Sequence, residues 1–477
     1  MGEKEVQAEK PNAFLAAPNR AKTLTLVGIY IALLGSLIQS NTMSTLLAVA
    51  AADIGGTDYY SLASNLGGVC GIIVMPLWAY LTSKSPQLKR PIFAISMFIG
   101  AAVILIRAIS PDMMTIVVTG TFYGFVSSGL FVVGYSMIRD MYGPEKAGTY
   151  LGVCGTVMMV GALVGPVVGG VIMDFLGWRV LCWIIWPIMA LGGLIVLLFG
   201  VKVTKEQVAD LASTRAAFDV PGTIFMAIFL GAFVIALSTG TSLMRFGTLP
   251  SNIVFVVAAV AFVVFIVVLV KKKDAAIIPL SVFKDRNSVC FIISNFFSNI
   301  ANMALFFFLP LYVIQVMGLS TTESGIIMAC YSVAGLFLSP IYGKIIGKSG
   351  SAKSSILVVS VFRIIVALLF IFFLTPTTPM WLICIFMLIG GVYNCAGGSV
   401  FSAGPQVQLK PEIRNQANSV IQQMQTLGSS IGIAVFTLCI GIGGLMGGIM
   451  IAIWVSIVCA VIAGVAALGL KKLSKDE

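Results

Sequence analysis

The sequence predicts an all-α integral membrane protein. Of its 477 residues, 59% are hydrophobic and only 10% are charged, and the mean hydropathy is +1.05. Soluble domains carry about 25% charged residues. Fourteen apolar runs are long enough to cross a bilayer, and the cationic residues are concentrated between alternate runs. These observations together predict fourteen transmembrane helices in one chain.

The predicted spans follow one another from residue 23 to residue 470. A helix needs about 20 apolar residues to cross the hydrocarbon core of a bilayer. The runs that meet this length are 23–52, 60–83, 91–110, 113–138, 147–173, 178–200, 220–240, 251–270, 287–316, 322–346, 354–374, 379–407, 415–440 and 445–470. Because the count is even, both chain ends are predicted on the same side of the membrane.

Lysine and arginine predict the orientation of the chain. Of 29 such residues, 25 lie in the tails or in the loops on the side of the termini. Arg107, Arg179 and Arg245 are assigned to the opposite side, and Arg363 lies within a span. Cytoplasmic loops carry an excess of Lys and Arg. The sequence therefore predicts a multi-pass protein of the cell membrane with both termini in the cytoplasm.

Residue usage argues against several functional classes. Residues 1–22 are polar and charged and a full apolar span follows, so no cleavable signal is expected. The nine cysteines form no CxxC pair and the chain has no histidine, so no metal site and no cofactor are expected. Loop placement explains the net charge of +11, and no nucleic-acid partner is expected. Residues 343–349 differ from a phosphate-binding loop, because three residues instead of four separate their glycines.

A glycine-rich stretch in the fifth span predicts close helix packing. Gly161, Gly165 and Gly169 recur every four residues and share one helix face, which another helix can approach backbone to backbone. Pro166 removes a helical hydrogen bond and allows a bend, and Gly170 completes the stretch. Tight packing of small residues explains this pattern, and so does a conformational hinge.

The same stretch carries a family resemblance. The pattern G-x-x-x-G-P-x-x-G-G at 161–170, followed by Gly177-Trp178-Arg179, resembles the fifth-helix signature of drug/proton antiporters in the major facilitator superfamily. The loops at 79–90 and 343–353 resemble the loop that recurs in the two halves of those proteins, although both copies lack its acidic residue. Further matches extend over nearly the whole chain and indicate the fourteen-span branch.

This resemblance implies a fold of two six-helix bundles plus a two-helix insert, which works by alternating access. The implied segments are a cytoplasmic N-tail at 1–22, an N-terminal bundle at 23–201, an insert with flanking cytoplasmic segments at 202–286, a C-terminal bundle at 287–470 and a cytoplasmic C-tail at 471–477. We expect a monomer in the lipid bilayer. No intramembrane nucleophile, acid pair or metal site is visible, so we do not expect an enzyme.

The chain departs from the antiporters that it resembles in its charged residues. None of the eighteen acidic residues falls at the centre of a span. Those antiporters usually carry an acidic residue in span 1, where this chain has Gln39-Ser40-Asn41-Thr42, and an arginine in span 4, where this chain has Gly120. No protein carboxylate is therefore predicted to bind protons or organic cations in the membrane core.

Arg363 is the one ionisable residue that the sequence places at mid-membrane. A charge at that depth must be paired or must face a wet cavity. Hydrogen bonds to backbone carbonyls would make this arginine structural, and its span is normally peripheral in the superfamily. Alternatively, its guanidinium binds a carboxylate or sulfonate of the substrate. The sequence leaves both interpretations open.

Polar residues cluster on the spans that line the cavity in the superfamily and on their neighbours. Interhelical hydrogen bonding explains each of them individually. As a set among Phe and Met residues, they fit a large amphipathic ligand. With Arg363, the candidate substrate-binding residues are Gln39, Asn41, Tyr123, Asn295, Asn299, Asn302, Tyr331, Tyr393, Asn394 and Gln422.

The predicted function is secondary transport of an amphipathic organic anion, and three features support this prediction. The missing core carboxylates and the lone Arg363 favour an anionic or neutral amphipath over a cation. The chain is similar in size and composition to the bile-acid carriers of gut clostridia, which belong to the same branch. A weak-acid substrate could carry the coupled proton itself. The alternative is multidrug efflux by drug/proton antiport, which the branch itself indicates. A channel is less consistent with the sequence, which shows no charged rings or filter loops.

Overall fold

A computed structural model describes residues 13–207, 219–240, 243–273, 278, 280–394 and 400–472. Within these ranges the chain is helical and contains no β-strand. The α-helices are α1 (Asn19–Ile54), α2 (Tyr60–Lys84), α3 (Lys89–Ala108), α4 (Met113–Leu176), α5 (Trp178–Phe199), α6 (Val220–Thr239), α7 (Leu249–Lys272), α8 (Arg286–Gln315), α9 (Thr321–Ser349), α10 (Lys353–Phe373), α11 (Met380–Asn394), α12 (Val400–Gln408) and α13 (Pro411–Leu468). Most of the two predicted tails, 1–12 and 473–477, and part of the predicted insert, 208–218, lie outside the described residues.

Twelve helical segments of the described ranges are long and apolar enough to span a membrane. The prediction of an all-α, multi-pass membrane protein is confirmed. The count of fourteen is not confirmed by these lengths and stays a prediction. One segment, Ala417–Leu468, has 52 residues and contains nearly all of the last two predicted spans, and Met380–Asn394 is shorter than a membrane crossing.

Two of the long helices turn back on themselves. In α13, Gly444 has a φ of 68°, which residues with side chains rarely adopt. A Cβ on Gly448 would lie 2.2 Å from Ile440 Cα, so the segments on either side of the break touch. In α4, the ring centroids of Tyr142 and Tyr150 are 3.9 Å apart. Eight residues of straight helix would separate them by about 12 Å, so the chain reverses between them.

The helices pack in two groups. Helices α1–α5, here the N-terminal bundle, pack mainly against one another, and helices α8–α13, here the C-terminal bundle, do the same. Helices α6 and α7 pair with each other, and α6 also contacts α2 and α13. Ser61 on α2 donates to Ser238 on α6 at 3.1 Å. The helix pair α6–α7 therefore lies against both bundles, while the exact domain boundaries stay a prediction.

Hydrogen bonds join the two bundles at the distal side, defined here as the end where α1 stops and α2 starts. The Asp174 carboxylate at the end of α4 accepts from the backbone N–H of Thr321 at 2.9 Å and of Thr322 at 2.7 Å. A carboxylate at this place satisfies the free N–H groups of the first turn of α9. Tyr60 on α2 also donates to the carbonyl of Phe307 on α8 at 3.2 Å.

Candidate functional site

A cavity of about 340 Å³ lies among helices of the N-terminal bundle. Helices α1, α2, α3 and α4 supply most of its wall, and α8 and α13 contribute one residue each. Its lining residues are Gln39, Ser40, Met43, Ala63, Ser64, Gly67, Gly68, Gly71, Met75, Arg107, Gly120, Tyr123, Gly124, Ser127, Ser128, Phe131, Phe307 and Thr426. The wall is thus apolar for the most part, with hydroxyl groups, one amide and one guanidinium.

A close crossing of α2 and α4 forms part of this wall. A Cβ on Gly124 would lie 1.7 Å from the carbonyl oxygen of Gly67, and a Cβ on Gly120 would lie 2.8 Å from that of Ala63. The two helices therefore touch backbone to backbone. In the sequence, Gly67 and Gly71 on α2 and Gly120 and Gly124 on α4 show the spacing of four residues that marks such contacts.

Arg107 is a candidate site residue that the sequence places on the side opposite the termini, near the end of the span 91–110, and not among the predicted substrate-binding residues. It lies in the last turn of α3, is only 1% exposed and lines the cavity. Helical side chains tilt toward the N-terminus of their helix, so a residue at the distal end of α3 reaches back into the bundle. The described helices therefore bury a second arginine besides Arg363. In the sequence, the signal for this residue is an arginine within four residues of the end of a span. From there its side chain is long enough to reach into the cavity.

The guanidinium of Arg107 has weak partners. Its Nε donates to Thr119 Oγ1 at 3.4 Å, and its Nη1 donates to the sulfur of Met43 at 3.4 Å. Its Nη2 is buried and has no hydrogen-bond partner among the described residues. A thioether is a weak acceptor, and an arginine carries five N–H donors. Most of the hydrogen-bonding capacity of this cation is therefore unused by the protein.

Two of the predicted substrate-binding residues line the same cavity. Gln39 is 1% exposed, and its Nε2 donates to the sulfur of Met43 at 3.4 Å, while its Oε1 is without a partner in the described part of the chain. Tyr123 donates through its hydroxyl to Ser36 Oγ at 2.8 Å. Gln39, Met43 and Arg107 thus form one connected group, with Tyr123 in the same wall.

Arg363 lies elsewhere, inside the C-terminal bundle. It is 4% exposed, and its Nη1 donates to the Ser298 carbonyl and, at 2.8 Å, to Ser298 Oγ. Its guanidinium carbon lies 4.6 Å from the ring centroid of Tyr393, a cation–π arrangement. Its Nε has no hydrogen-bond partner among the residues that the structure describes. These contacts match the structural interpretation of Arg363, and Arg363 does not line the described cavity.

Tyr331, Asn302, Tyr393 and Asn394 form a second polar group, next to Arg363. The Tyr331 hydroxyl donates to Asn302 Oδ1, and the rings of Tyr331 and Tyr393 meet edge to face with centroids 5.7 Å apart. Asn394 Nδ2 is 3.5 Å from the Tyr331 carbonyl. The structure therefore brings four of the predicted site residues together, away from Gln39 and Tyr123.

The other predicted site residues serve contacts within and between helices. Asn295 donates to the Ile421 carbonyl at 2.8 Å, and Asn299 donates to Asn295 Oδ1 at 2.8 Å. Asn41 donates to the carbonyl of Leu37 within α1 at 2.8 Å. Gln422 is partly buried on α13, one turn before the cavity residue Thr426. Their predicted roles in substrate binding stay predictions.

No described aspartate or glutamate lines the cavity. The ion pairs in the described part of the chain are Lys89–Asp140, Arg179–Asp53 and Lys272–Asp219, so none involves Arg107 or Arg363. Asp112, just before α4, accepts from the Thr115 N–H at 2.7 Å, and this hydrogen bond holds the pKa of Asp112 below its usual range. Among the described residues, no cluster of His, Cys, Asp and Glu could hold a metal ion.

Comparison with known proteins places the chain in a family. The family model "Major Facilitator Superfamily" matches residues 29–433. The chain belongs to the major facilitator superfamily. It is 24% identical over 424 residues to Multidrug resistance protein 3 of Bacillus subtilis, covering 88% of this chain and 80% of that protein. It is 23% identical over 346 residues to the riboflavin transporter RibZ of Clostridioides difficile, covering 72% of each.

Solved structures of other transporters share the fold. A POT family transporter in complex with a thioalcohol-conjugated peptide has a TM-score of 0.68 and 13% identity, covering 94% of this chain and 98% of that one. Membership in the superfamily, predicted from the glycine-rich stretch and the loops, is confirmed. This major facilitator protein is therefore a multi-pass membrane transporter for a small molecule, and its relatives are transporters, not enzymes.

In this superfamily member, the glycine-rich stretch contacts two different helices. Gly161, Gly165 and Gly169 face α1, where a Cβ on Gly169 would lie 2.3 Å from Thr42 Cγ2. Gly170 faces the other bundle, because a Cβ there would lie 2.5 Å from the carbonyl oxygen of Thr321. Pro166 is also at this boundary, with its carbonyl oxygen 2.2 Å from a Cβ built on Gly325. The stretch thus packs closely against α1 on one side and α9 on the other, and its role as a hinge stays a prediction.

Proposed function

We propose that this transporter moves an amphipathic organic anion, such as a bile acid, across the cell membrane by alternating access. The observation that carries the proposal is the charge of the cavity. Its wall holds the buried guanidinium of Arg107 and no described carboxylate. A buried cation costs several kcal/mol unless an anion or good acceptors compensate it. An anionic substrate supplies that compensation.

The apolar part of the wall supports an amphipathic ligand over a small inorganic ion. Met43, Met75, Phe131 and Phe307 line the cavity together with glycines. Binding sites for organic molecules combine such apolar surfaces with a few orienting polar groups. A rigid hydrocarbon body with one carboxylate and hydroxyl groups matches this combination. Bile acids have this chemistry.

The proposal includes the fourteen-span arrangement, with both termini in the cytoplasm, and a monomer that needs no cofactor. Two features support it. The break at Gly444 coincides with the predicted boundary between the last two spans. Helices α6 and α7 lie between the two bundles in sequence, and α6 packs against α2 of one bundle and α13 of the other, as part of a two-helix insert would.

We also propose that protons drive the transport, although no described carboxylate lines the cavity. A carboxylic acid substrate can bring its own proton, because the carboxylate that binds in the cavity can cross together with one proton and release that proton on the other side. The coupling then needs no acidic residue in the protein core. A substrate that is permanently ionised, such as a sulfonated bile-acid analogue, could not be driven in this way.

Multidrug efflux by drug/proton antiport is the second candidate function. It is favoured by the relatives, which include Multidrug resistance protein 3 and the multidrug transporter protein MdtP of Bacillus subtilis. An exporter of cationic drugs would be expected to present a carboxylate to its substrate. The acid-free wall of the cavity is the reason for ranking this candidate second.

The experiment is uptake of labelled cholate into proteoliposomes under an imposed pH gradient. Protein-free liposomes are the control, because protonated cholate also diffuses through lipid. We expect saturable uptake that follows the gradient, and no gradient-driven uptake of taurocholate, its sulfonated analogue. Gradient-driven taurocholate uptake would contradict substrate-borne protons. No cholate uptake, together with transport of lipophilic cationic dyes, would establish multidrug efflux instead.

A further inference from the structure

We infer that Arg107 and Gln39 form a subsite that binds the carboxylate and a hydroxyl group of the substrate. This inference rests on the proposed function and deepens it, since it names the residues that distinguish an organic acid from a neutral molecule of the same shape. Arg107 would donate to the carboxylate, and Gln39 would accept from a hydroxyl. The superfamily match does not assign a role to either residue.

The first step of the argument is the unused capacity of Arg107. The residue is 1% exposed, so bulk water does not satisfy it. Its two hydrogen bonds, to Thr119 and to the sulfur of Met43, are each 3.4 Å long, at the limit of useful geometry. The planar guanidinium fork suits the two oxygens of a carboxylate, and Nη2 is free to begin this contact.

The second step is access to the guanidinium. Arg107 Nη2 lies 3.9 Å from the position of a Cβ on Gly120, so the group is next to a glycine that projects no side chain into the cavity. Gly124 follows one turn later, and Tyr123 lies in the same wall. Because these two glycines also contact α2, a ligand reaches Arg107 from the part of the cavity that Gln39, Met43 and Tyr123 line.

The third step is the neighbouring amide. Gln39 Nε2 and Arg107 Nη1 each donate to the sulfur of Met43 at 3.4 Å, so the two side chains share one neighbour. The buried Oε1 of Gln39 has no partner in the described residues. It is an acceptor, which complements a hydroxyl and repels a second carboxylate. The pair therefore matches a hydroxylated monocarboxylate better than a dianion.

The two arginines of the core differ in what surrounds them. Arg363 donates to a carbonyl and a hydroxyl of Ser298 and stacks on Tyr393, and it does not line the described cavity. Arg107 has neither a carbonyl acceptor nor an aromatic ring among the contacts that the structure records for it. We therefore assign the anion subsite to Arg107 and not to Arg363.

The experiment compares the binding of cholate and of its neutral methyl ester to the full-length protein in detergent, by isothermal titration calorimetry. We expect the wild-type protein to bind cholate about 10- to 100-fold more tightly than the ester, as a charge-assisted hydrogen bond predicts. Arg107→Gln should remove this preference and leave the affinity for the ester unchanged. Arg107→Lys, which retains the charge, should keep part of it.

Arg179→Gln is the matched control, because Arg179 pairs with Asp53 and does not line the cavity. It should keep the preference for the acid. Equal affinities of the wild-type protein for cholate and its ester would overturn the subsite, and this test needs no variant to fold. An unchanged preference in Arg107→Gln would also overturn it, while leaving anion transport in place. Binding of neither compound by the wild-type protein would overturn the proposed function and the subsite together.

Discussion

Arg363 shows how a buried arginine can be satisfied without a carboxylate. A backbone carbonyl and a hydroxyl of Ser298 accept from its Nη1, and the ring of Tyr393 lies against its face. Hydrogen bonds to charged groups contribute about 1.5–3 kcal/mol each, and a buried cation–π contact contributes about 2 kcal/mol. These contacts offset part of the cost of burying the charge, and the residue joins α10 to α8 and α11.

At the residue scale, we predict that Arg363→Gln weakens the C-terminal bundle and spares substrate selectivity. The free energy of unfolding should fall by about 2–3 kcal/mol, because the substitution removes the Ser298 hydrogen bonds and the contact with Tyr393. Thermal unfolding in detergent measures this loss. Cholate should still bind more tightly than its methyl ester. An unchanged unfolding temperature with a lost preference for cholate would instead support the substrate-binding interpretation of Arg363.

Only part of the candidate site could be predicted from residue types. Gln39 and Tyr123 were predicted because polar residues inside apolar spans are conspicuous, and both line the cavity. Arg107 was missed because its Cα lies near the end of a span, where cations are common. The direction of its side chain, not its position along the chain, brings the guanidinium into the cavity. The direction of a side chain relative to the cavity depends on how the neighbouring helices pack, and the sequence pattern does not give that packing.

At the element scale, the glycine-rich part of α4 belongs to two interfaces: one lies inside the N-terminal bundle and the other lies between the two bundles. Gly169 packs against Thr42 of α1, inside the N-terminal bundle, whereas Gly170 packs against the carbonyl of Thr321 in the C-terminal bundle. Contacts inside one bundle persist while the two bundles move relative to each other. In the proposed alternating access, contacts between the bundles break when the distal side opens. A substitution at Gly169 is therefore expected to change the stability of the protein, and one at Gly170 is expected to change the equilibrium between its conformations.

We predict that Gly169→Ala lowers stability and that Gly170→Ala opens the distal side. The added methyl at Gly169 overpacks a fixed interface and should cost about 1–3 kcal/mol in the free energy of unfolding. The methyl at Gly170 can be relieved by separation of the bundles. Thermal unfolding measures the first effect. Electron–electron distance measurements between labels on genetically encoded residues at Ile109 and Gln315, near the distal ends of α3 and α8, measure the second.

Gly343→Ala is the control for this pair, because a Cβ there would meet nothing within 4 Å. It should change neither the unfolding temperature nor the distance between the labels. If Gly170→Ala lowered the unfolding temperature as much as Gly169→Ala and left the distance unchanged, both glycines would be packing residues, and the hinge interpretation would be wrong.

At the scale of the whole molecule, the predicted membrane topology rests on the distribution of charge. The cationic residues lie almost entirely on the side predicted to be cytoplasmic. Moving such a loop across the membrane is unfavourable, so the loops act together to set one orientation. The reversal at Gly444 decides whether the last 52-residue segment crosses once or twice.

We predict that alkaline phosphatase fused after Gly444 is active and that the same enzyme fused after Leu468 is inactive, in a bacterial host. The first fusion point would be outside the cytoplasm and the second would be inside, because the chain crosses the membrane between them. Green fluorescent protein fused after Leu468 should fluoresce, which controls for expression. The same activity at both phosphatase fusion points would contradict a crossing between them and with it the count of fourteen.

The sequence by itself determined the class of this protein: a multi-pass helical transporter of the major facilitator superfamily. Apolar length and the placement of charge are properties of local sequence, and the glycine motif is written in consecutive residues, so each could be read without the fold. Only the tertiary structure decided which polar residues share a cavity. It separated Gln39 and Tyr123 from the group around Tyr331 and added Arg107, because helices distant in sequence determine what each side chain faces.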